Sequence, residues 1–290
     1  HDPRLVHRHM RELISSGVTT IIVSWWGPGH YTDQAMPTLL AEAARAGIEV
    51  TIYYETVPKP RTVESFLRDV IYVLDRYARH PAFAKIDNKP VIFIYGRAMH
   101  QLPVSDYARA LVWLEKHRPP GIAAFADGFT AANAAVFDGL HTYNPVGRYA
   151  HKSPEQICRR AIELSGKWVG LARSFGRIAT VTVIPGYDDT KVRRPGLALD
   201  RYGGQTYRCT WEAAIKADPD WVLITTYNEW HEGSEIEPSV EFGRQYLELT
   251  GKYAHPFVAR PPARSVTTSA GRQPALPADR RSRAPPCRGS

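Results

Sequence analysis

The sequence has few cysteines, no long apolar run and no glycine-rich phosphate loop. Its three cysteines, Cys158, Cys209 and Cys287, are odd in number and match no metal-binding spacing. We interpret Cys158, on a predicted helix, as a small buried residue. No stretch reaches the roughly 18 apolar residues of a membrane span, so no transmembrane segment is expected. Without a Gly-rich loop after an early strand, a dinucleotide-binding sheet is disfavoured.

The formal net charge of +8 would suit a polyanionic partner, but most of it lies in one segment. Residues 255–290 hold seven Arg and a single acid, Asp279, a net +6, which leaves +2 for residues 1–254. Since no nucleic-acid-binding motif is present, we predict no nucleic-acid partner, although contact of the basic segment with anionic lipid stays open. Its seven Pro and lack of periodicity predict a disordered tail over 255–290 and a folded domain over 1–254.

Helix and strand patterns alternate along residues 1–254. Helical patterns end at Gly17 and Gly47 or begin at capping residues such as Thr62 and Ser153. Between them, near-continuous apolar runs predict strands beginning near Thr19, Glu49, Pro90, Gly121, Val136, Ile178 and Trp221. Buried strands that alternate with helices are typical of a parallel sheet covered by helices.

The predicted architecture is an α/β fold, a (β/α)₈ TIM-type barrel that lacks its first strand at the N-terminus. The chain opens on a helical pattern over residues 4–16, whereas each helix of such a barrel follows a strand. We therefore expect the first strand upstream of His1, in a chain that is a processed product or a fragment with an unreadable targeting signal. An open, doubly wound sheet is the alternative.

Acidic, aromatic and amide side chains follow the predicted strands. In parallel barrels the reacting groups lie at the C-terminal ends of the strands. The candidates for sugar contacts at this end are Trp25, Trp26, Tyr54, Glu55, Tyr143 and Tyr187. We expect one of the two adjacent tryptophans to belong to the core instead.

The densest group follows the last predicted strand and contains Glu229 and Glu232, three residues apart. In a helical turn this spacing places both carboxylates on one side. Glycoside hydrolysis needs one carboxyl group that holds a proton and one that is ionised, and crowding separates their pKa values. We predict Glu229 and Glu232 as catalytic residues, with Asn228, Trp230 and His231 as substrate contacts.

Two other interpretations of this loop remain. One is a solvated acidic loop anchored in the core by Trp230. The other is a metal site formed by His231, Glu232, Glu235 and Glu237, but the His-Glu-x-x-His motif of zinc proteases is missing. We predict no metal and no cofactor.

The run from Tyr227 to Glu237 resembles the signature of the glycoside hydrolase family 99 endo-α-mannosidases, which carry an Asn-Glu-Trp-His-Glu-Gly core. Shorter collinear matches extend the resemblance over roughly residues 3–252, among them Ser24-Trp25, Tyr54-Glu55, Phe137-Asp138-Gly139, Thr142-Tyr143 and Pro185-Gly186-Tyr187-Asp188-Asp189-Thr190. The resemblance implies a (β/α)₈ barrel that cleaves α-1,2-mannosidic bonds within glycans, with retention of configuration.

The resemblance also implies roles for single residues. Glu229 would deprotonate the sugar 2-hydroxyl to form a 1,2-anhydro sugar, and Glu232 would protonate the leaving oxygen and then activate water. Glu55 would be a carboxylate of the substrate site, and Tyr143 would lie beside the reacting sugar. The substrate would be an oligosaccharide or polysaccharide, bound by an extracytoplasmic monomer. The alternative is a carbohydrate-binding or polysaccharide-biosynthesis protein with little or no hydrolysis, since Ser234-Glu235 departs from the usual Thr-Gln.

Overall fold

The computed structural model describes residues 2–260, whose main feature is a curled sheet of parallel strands. The strands are β1 (Thr20–Trp25), β2 (Glu49–Tyr54), β3 (Lys85–Ile86), β4 (Lys89–Ile94), β5 (Ala123–Asp127), β6 (Gly139–His141), β7 (Ile178–Val183), β8 (Tyr187–Asp188), β9 (Ala198–Leu199) and β10 (Trp221–Ile224). Parallel pairing runs in the order β1-β2-β4-β5-β6-β7-β10. The short strand β3 pairs antiparallel with β4, and β8 with β9. All seven predicted strands are present, and their sequential order is that of a barrel, not of a doubly wound sheet.

Helices cover the outer face of this sheet. They are α1 (Pro3–Ser15), α2 (Tyr31–Ala46), α3 (Val63–Arg76), α4 (Gly96–Met99), α5 (Val104–His117), α6 (Ala131–Val136), α7 (Val146–Tyr149), α8 (Pro154–Ser174), α9 (Gln205–Ala217) and α10 (Gln245–Ala259). The predicted caps are confirmed, because the Thr62 side chain accepts from the Ser65 N–H and Ser153 forms a capping box with Gln156. Within residues 2–260, no helix has the length and apolar character needed to cross a bilayer.

Two helices differ from the sequence prediction because a proline lies inside each. The helical pattern of the sequence predicts a helix over residues 37–46, but α2 begins six residues before Pro37, where the His30 ring accepts from the Thr32 N–H. The pattern likewise predicts a helix over residues 240–249, but α10 begins at Gln245 and continues through Pro256 to Ala259. Residues 255–259 of the predicted tail are therefore helical. Residues 261–290 lie outside the described residues, so the predicted division into domain and tail stays a prediction.

A disulfide joins α8 to α9. Cys158 and Cys209 are bonded, with their Cα atoms 4.7 Å apart. Our interpretation of Cys158 as a small buried residue was therefore wrong, since it is half-buried and bonded to Cys209. The two residues are 51 positions apart, and only the packing of the two helices brings them together, so their spacing carried no signal.

Alternate residues of each strand face the barrel interior and the helix layer. Tyr53, Phe93 and Phe125 are neighbours in register on β2, β4 and β5, and they face inward. The rings of Phe93 and Phe125 stack at 4.8 Å, and Trp221 stacks on Phe125 at 4.8 Å. Gly139 completes this aromatic layer, since a Cβ there would lie 2.2 Å from the Phe125 ring.

A groove of about 640 Å³ separates β1 from β10, the two strands at the ends of the pairing order. Its walls include Ile22 of β1, Val222 of β10 and Phe257 of α10. Gly17 and Glu49 also line it, which places the groove toward the N-terminal ends of the strands. It is therefore distant from the loops that carry the predicted site.

Candidate active site

The loop after β10 is folded into a tight turn that presents Glu229 and Glu232. The Glu229 N–H donates to the Thr226 side chain at 3.1 Å, and a 3₁₀ turn over Trp230–Glu232 closes when the Glu232 N–H bonds the Glu229 carbonyl at 3.2 Å. Gly233 ends the turn with φ +57°, a left-handed conformation that favours glycine. The predicted turn therefore exists, and both acids lie at the C-terminal end of the barrel.

Glu232 is the buried member of the pair, with 7% of its surface exposed. The Tyr143 hydroxyl donates to its Oε2 at 2.7 Å, and Nη2 of Arg193 donates to its Oε1 at 2.8 Å. Burial and the adjacent Glu232 charge raise the pKa of Tyr143 far above its ordinary value. The hydroxyl therefore keeps its proton and orients the carboxylate.

Glu229 is more exposed than Glu232. Burial raises its pKa above the ordinary 4.5, and the charge of Glu232 raises it further, against the opposing effects of His231 and Arg193. A carboxylate with a raised pKa is a stronger base near neutral pH. The two acids of the turn are thus electrostatically coupled, as the sequence analysis predicted.

Glu55 adds a third carboxylate, from the loop after β2. It is 8% exposed and accepts a hydrogen bond from the Ser24 hydroxyl at 2.8 Å. Burial is the main cause of its raised pKa, and Glu229 and Glu232 both contribute, whereas Arg97 opposes them. The carboxylates that follow β2 and β10 therefore interact electrostatically.

Polar and aromatic side chains surround these acids. Trp26 is 38% exposed and lies under the Arg97 guanidinium, 4.7 Å from its ring. Trp230 is 49% exposed and donates from Nε1 to Glu237 at 2.9 Å. Asn228 and His231 are exposed on the same loop as Glu229. Their exposure suits side chains that contact a glycan, although their predicted roles stay predictions.

Two predicted sugar contacts belong to the core instead. The Trp25 side chain is fully buried and donates to Asp33 at 2.9 Å, and Tyr54, 1% exposed, donates to Asp69 at 2.9 Å. Both lie at the same level of register and face the helix layer. The prediction of Trp25 and Tyr54 as sugar contacts was therefore wrong, because the inward-facing residues are their neighbours in sequence, whereas the expectation that one of the two adjacent tryptophans belongs to the core is confirmed by Trp25.

Tyr187 has an indirect position. It is 5% exposed, donates to Asp189 at 2.9 Å and accepts from Nη1 of Arg193 at 2.6 Å. It therefore contacts the site through Arg193 rather than facing a ligand as predicted.

Several buried groups beneath the acids were not among the predicted site residues. Asp127, at the end of β5, accepts from the Gly96 N–H at 3.1 Å, and burial raises its pKa to about 6. The Tyr53 hydroxyl donates to Asp127 and lies 3.0 Å from Nε2 of His141, so it links the two side chains. Alternation along β2 would have identified Tyr53, since it is two residues before Glu55.

The structure does not favour the alternative metal site. In the part of the chain that it describes, no group of three or more His, Cys, Asp or Glu side chains is placed to hold an ion. Glu235 pairs with Arg201 at 2.9 Å, and Glu237 lies 3.0 Å from His9. The acids of this loop therefore have separate partners instead of a common centre.

Comparison with known proteins gives the family. The model of glycosyl hydrolase family 99 matches residues 1–117 and 124–252. The chain belongs to this family. That confirms the resemblance seen in the loop after β10.

Curated family 99 relatives include the glycoprotein endo-alpha-1,2-mannosidase of Mus musculus, 26% identical over 302 residues, covering 88% of this chain and 61% of the relative. The Xenopus laevis protein of the same description is 27% identical and covers 89% of this chain and 63% of the relative. The chain therefore spans less than two thirds of the length of these relatives.

Among solved structures, the GH99 endo-alpha-mannosidase from Bacteroides thetaiotaomicron superposes with a TM-score of 0.74 at 25% identity. The match covers 89% of this chain and 80% of that chain. The predicted TIM-type barrel is confirmed.

Proposed function

We propose that this family 99 chain is a retaining, endo-acting glycoside hydrolase that cleaves α-mannosidic bonds, α-1,2 bonds above all. The observation that carries the proposal is the coupling of Glu229 with Glu232 in one turn at the C-terminal end of the barrel. Such a pair provides the two carboxyl groups that glycoside hydrolysis requires. The relatives named endo-alpha-1,2-mannosidases support the choice of linkage.

In the proposed first step, Glu229 removes the proton of the sugar 2-hydroxyl. The hydroxyl oxygen bonds to the anomeric carbon of its own sugar, and the bond from that carbon to the leaving oxygen breaks. Glu232 protonates the leaving oxygen. The nucleophile is already attached to the reacting sugar, so little entropy is lost in positioning it. The raised pKa of Glu229 suits it to the role of base.

In the second step, Glu232 accepts a proton from water, and the water oxygen bonds to the anomeric carbon. The bond between that carbon and the 2-oxygen breaks, and Glu229 returns its proton to this oxygen. Two inversions at one carbon give net retention. Glu55, Tyr143, Trp26, Trp230, Asn228 and His231 are the proposed glycan contacts.

The test is incubation with an α-1,2-linked manno-oligosaccharide. The parent protein is expected to cut an internal bond and to release the α-anomer first, as followed by proton NMR. Glu229→Gln and Glu232→Gln should each lower kcat by about 10²–10⁴-fold. Glu163→Gln, on the exposed surface of α8, removes the same charge far from the site and should leave turnover unchanged.

Binding by the parent and both site variants without cleavage would reject hydrolysis. That result would favour the alternative of a carbohydrate-binding or polysaccharide-biosynthesis protein. Release of the β-anomer would reject the retaining route and leave hydrolysis itself standing. Extracytoplasmic location and the monomeric state stay predictions.

A further inference from the structure

Arg193 is held in place by residues other than Glu232. Its Nη1 donates to Oδ2 of Asp189 at 2.6 Å and to the Tyr187 hydroxyl at 2.6 Å. Asp189 is 4% exposed, and its Oδ1 accepts from the Leu197 N–H at 2.7 Å. These bonds orient the guanidinium, whose side chain is 52% exposed, toward Glu232.

Glu232 has a different partner on each oxygen. Nη2 of Arg193 lies 2.8 Å from Oε1, and the Tyr143 hydroxyl lies 2.7 Å from Oε2. An arginine has only donors, so a proton on Oε1 would point at an N–H. A hydroxyl is both donor and acceptor, so Tyr143 can turn to accept a proton carried by Oε2.

We propose that Arg193 is a positioning residue that occupies Oε1 of Glu232 and so confines the proton that Glu232 donates to Oε2, beside Tyr143. The proposal rests on the proposed role of Glu232 as proton donor. It assigns to Arg193 the control of the pH range over which that donor is available. An adjacent guanidinium stabilises a carboxylate, so Arg193 limits donation at high pH.

The other charged and titratable groups around Glu232 come from five segments. Glu229 and His231 lie on its own loop, Tyr143 follows β6, Tyr187 lies on β8, and Glu55 and Tyr95 follow β2 and β4. Of these, Glu229 and Glu55 are acids that interact with the charge of Glu232. Arg193 is the cation that hydrogen-bonds to Glu232. Substituting Arg193 therefore separates its effect on Glu232 from the effects of the two acids.

The test follows the Glu232 carboxyl carbon by NMR in protein labelled with ¹³C-glutamate, with no glycan present. Glu232→Gln identifies the signal. In Arg193→Met the titration midpoint of this signal is expected to lie about one pH unit higher than in the parent. Arg193→Lys keeps the charge and should return the midpoint toward that of the parent. Arg194→Gln removes an exposed charge from the same segment and should leave it unchanged.

An unchanged midpoint in Arg193→Met, or an equal shift in Arg194→Gln, would overturn the proposal. Circular dichroism establishes that each variant is folded, and Arg193→Gln replaces Arg193→Met if that variant is not. With an α-1,2-linked manno-oligosaccharide, the basic limb of kcat/KM should move to higher pH in the same variants. If no protein turns over but the NMR shift is present, the proposed function fails while the contact stands.

Discussion

Two acidic residues, Asp33 and Glu229, follow the first and the last strand of the pairing order. They show how neighbouring groups determine whether a carboxylate stabilises the fold or is suited to catalysis. Asp33 follows β1, in the first turn of α2, and is 4% exposed. Its oxygens accept from Trp25 Nε1 at 2.9 Å, the Tyr72 hydroxyl at 2.8 Å, the Tyr77 hydroxyl at 2.7 Å and the Gly29 N–H at 2.8 Å. Burial alone would raise the pKa of Asp33, but these donors outweigh it and hold the pKa below its ordinary value.

Glu229 follows β10 and has the opposite shift. Its pKa is raised by burial and by Glu232, and its turn supplies no comparable set of donors. A carboxylate surrounded by donors is a structural anchor, because its ionised form is stabilised. A carboxylate next to another carboxylate exchanges protons more readily near neutral pH. The comparison teaches that position after a strand does not by itself identify a catalytic acid.

The largest expected effect that tests this contrast is on stability. Asp33→Asn presents an amide to donors that need an acceptor, including the buried Trp25 and Tyr77. We expect a fall of about 2–4 kcal/mol in the free energy of unfolding, since each unsatisfied buried group costs about 1–3 kcal/mol. Urea denaturation measures it. Asp75→Asn, which removes an exposed ion pair on α3, should cost less than about 1 kcal/mol; equal losses would refute the role of Asp33 as an anchor.

A second effect concerns the sign of the pH dependence. Because the pKa of Asp33 is lowered on folding, its contribution is present above the unfolded value of 3.8 and is lost as pH falls through the folded value. The stability difference between parent and Asp33→Asn should therefore shrink in acid. For Glu229 the folded pKa is raised, so ionisation above 4.5 opposes folding. Glu229→Gln should gain melting temperature relative to the parent between pH 4 and pH 7; a loss over that range would contradict the contrast.

The smallest expected effect separates an exposed tryptophan at the site from one elsewhere. Trp26→Ala should raise KM for a manno-oligosaccharide about fivefold, since an aromatic contact is worth about 1 kcal/mol. Trp113 on α5 has nearly the same exposure, 37% against 38%, and stacks on His117. Trp113→Ala is the matched control and should leave KM unchanged. A similar change in both variants would remove Trp26 from the glycan site.

The strands and the acidic turn were predictable because their signals are local. Apolar runs mark the strands, and the spacing of Glu229 and Glu232 lies within a single turn. The misassignment of Trp25 and Tyr54 was avoidable, because a period of two along β1 and β2 separates inward from outward residues.

Other features depend on contacts between distant segments. Arg193 reaches Glu232 across 39 positions, and its direction is set by the Asp189 and Tyr187 network rather than by any local pattern. The disulfide between α8 and α9 has the same origin. α10 continues through Pro256, although proline usually breaks a helix, so no local pattern predicts its end.

The aromatic layer of Phe93, Phe125 and Trp221 gives the barrel a solid floor. His141 lies against Phe93 on the side of the acids, with ring centroids 5.1 Å apart. Under the proposed function, a glycan that enters from the C-terminal end of the barrel would stop at this layer, because the stacked rings fill the space between the strands.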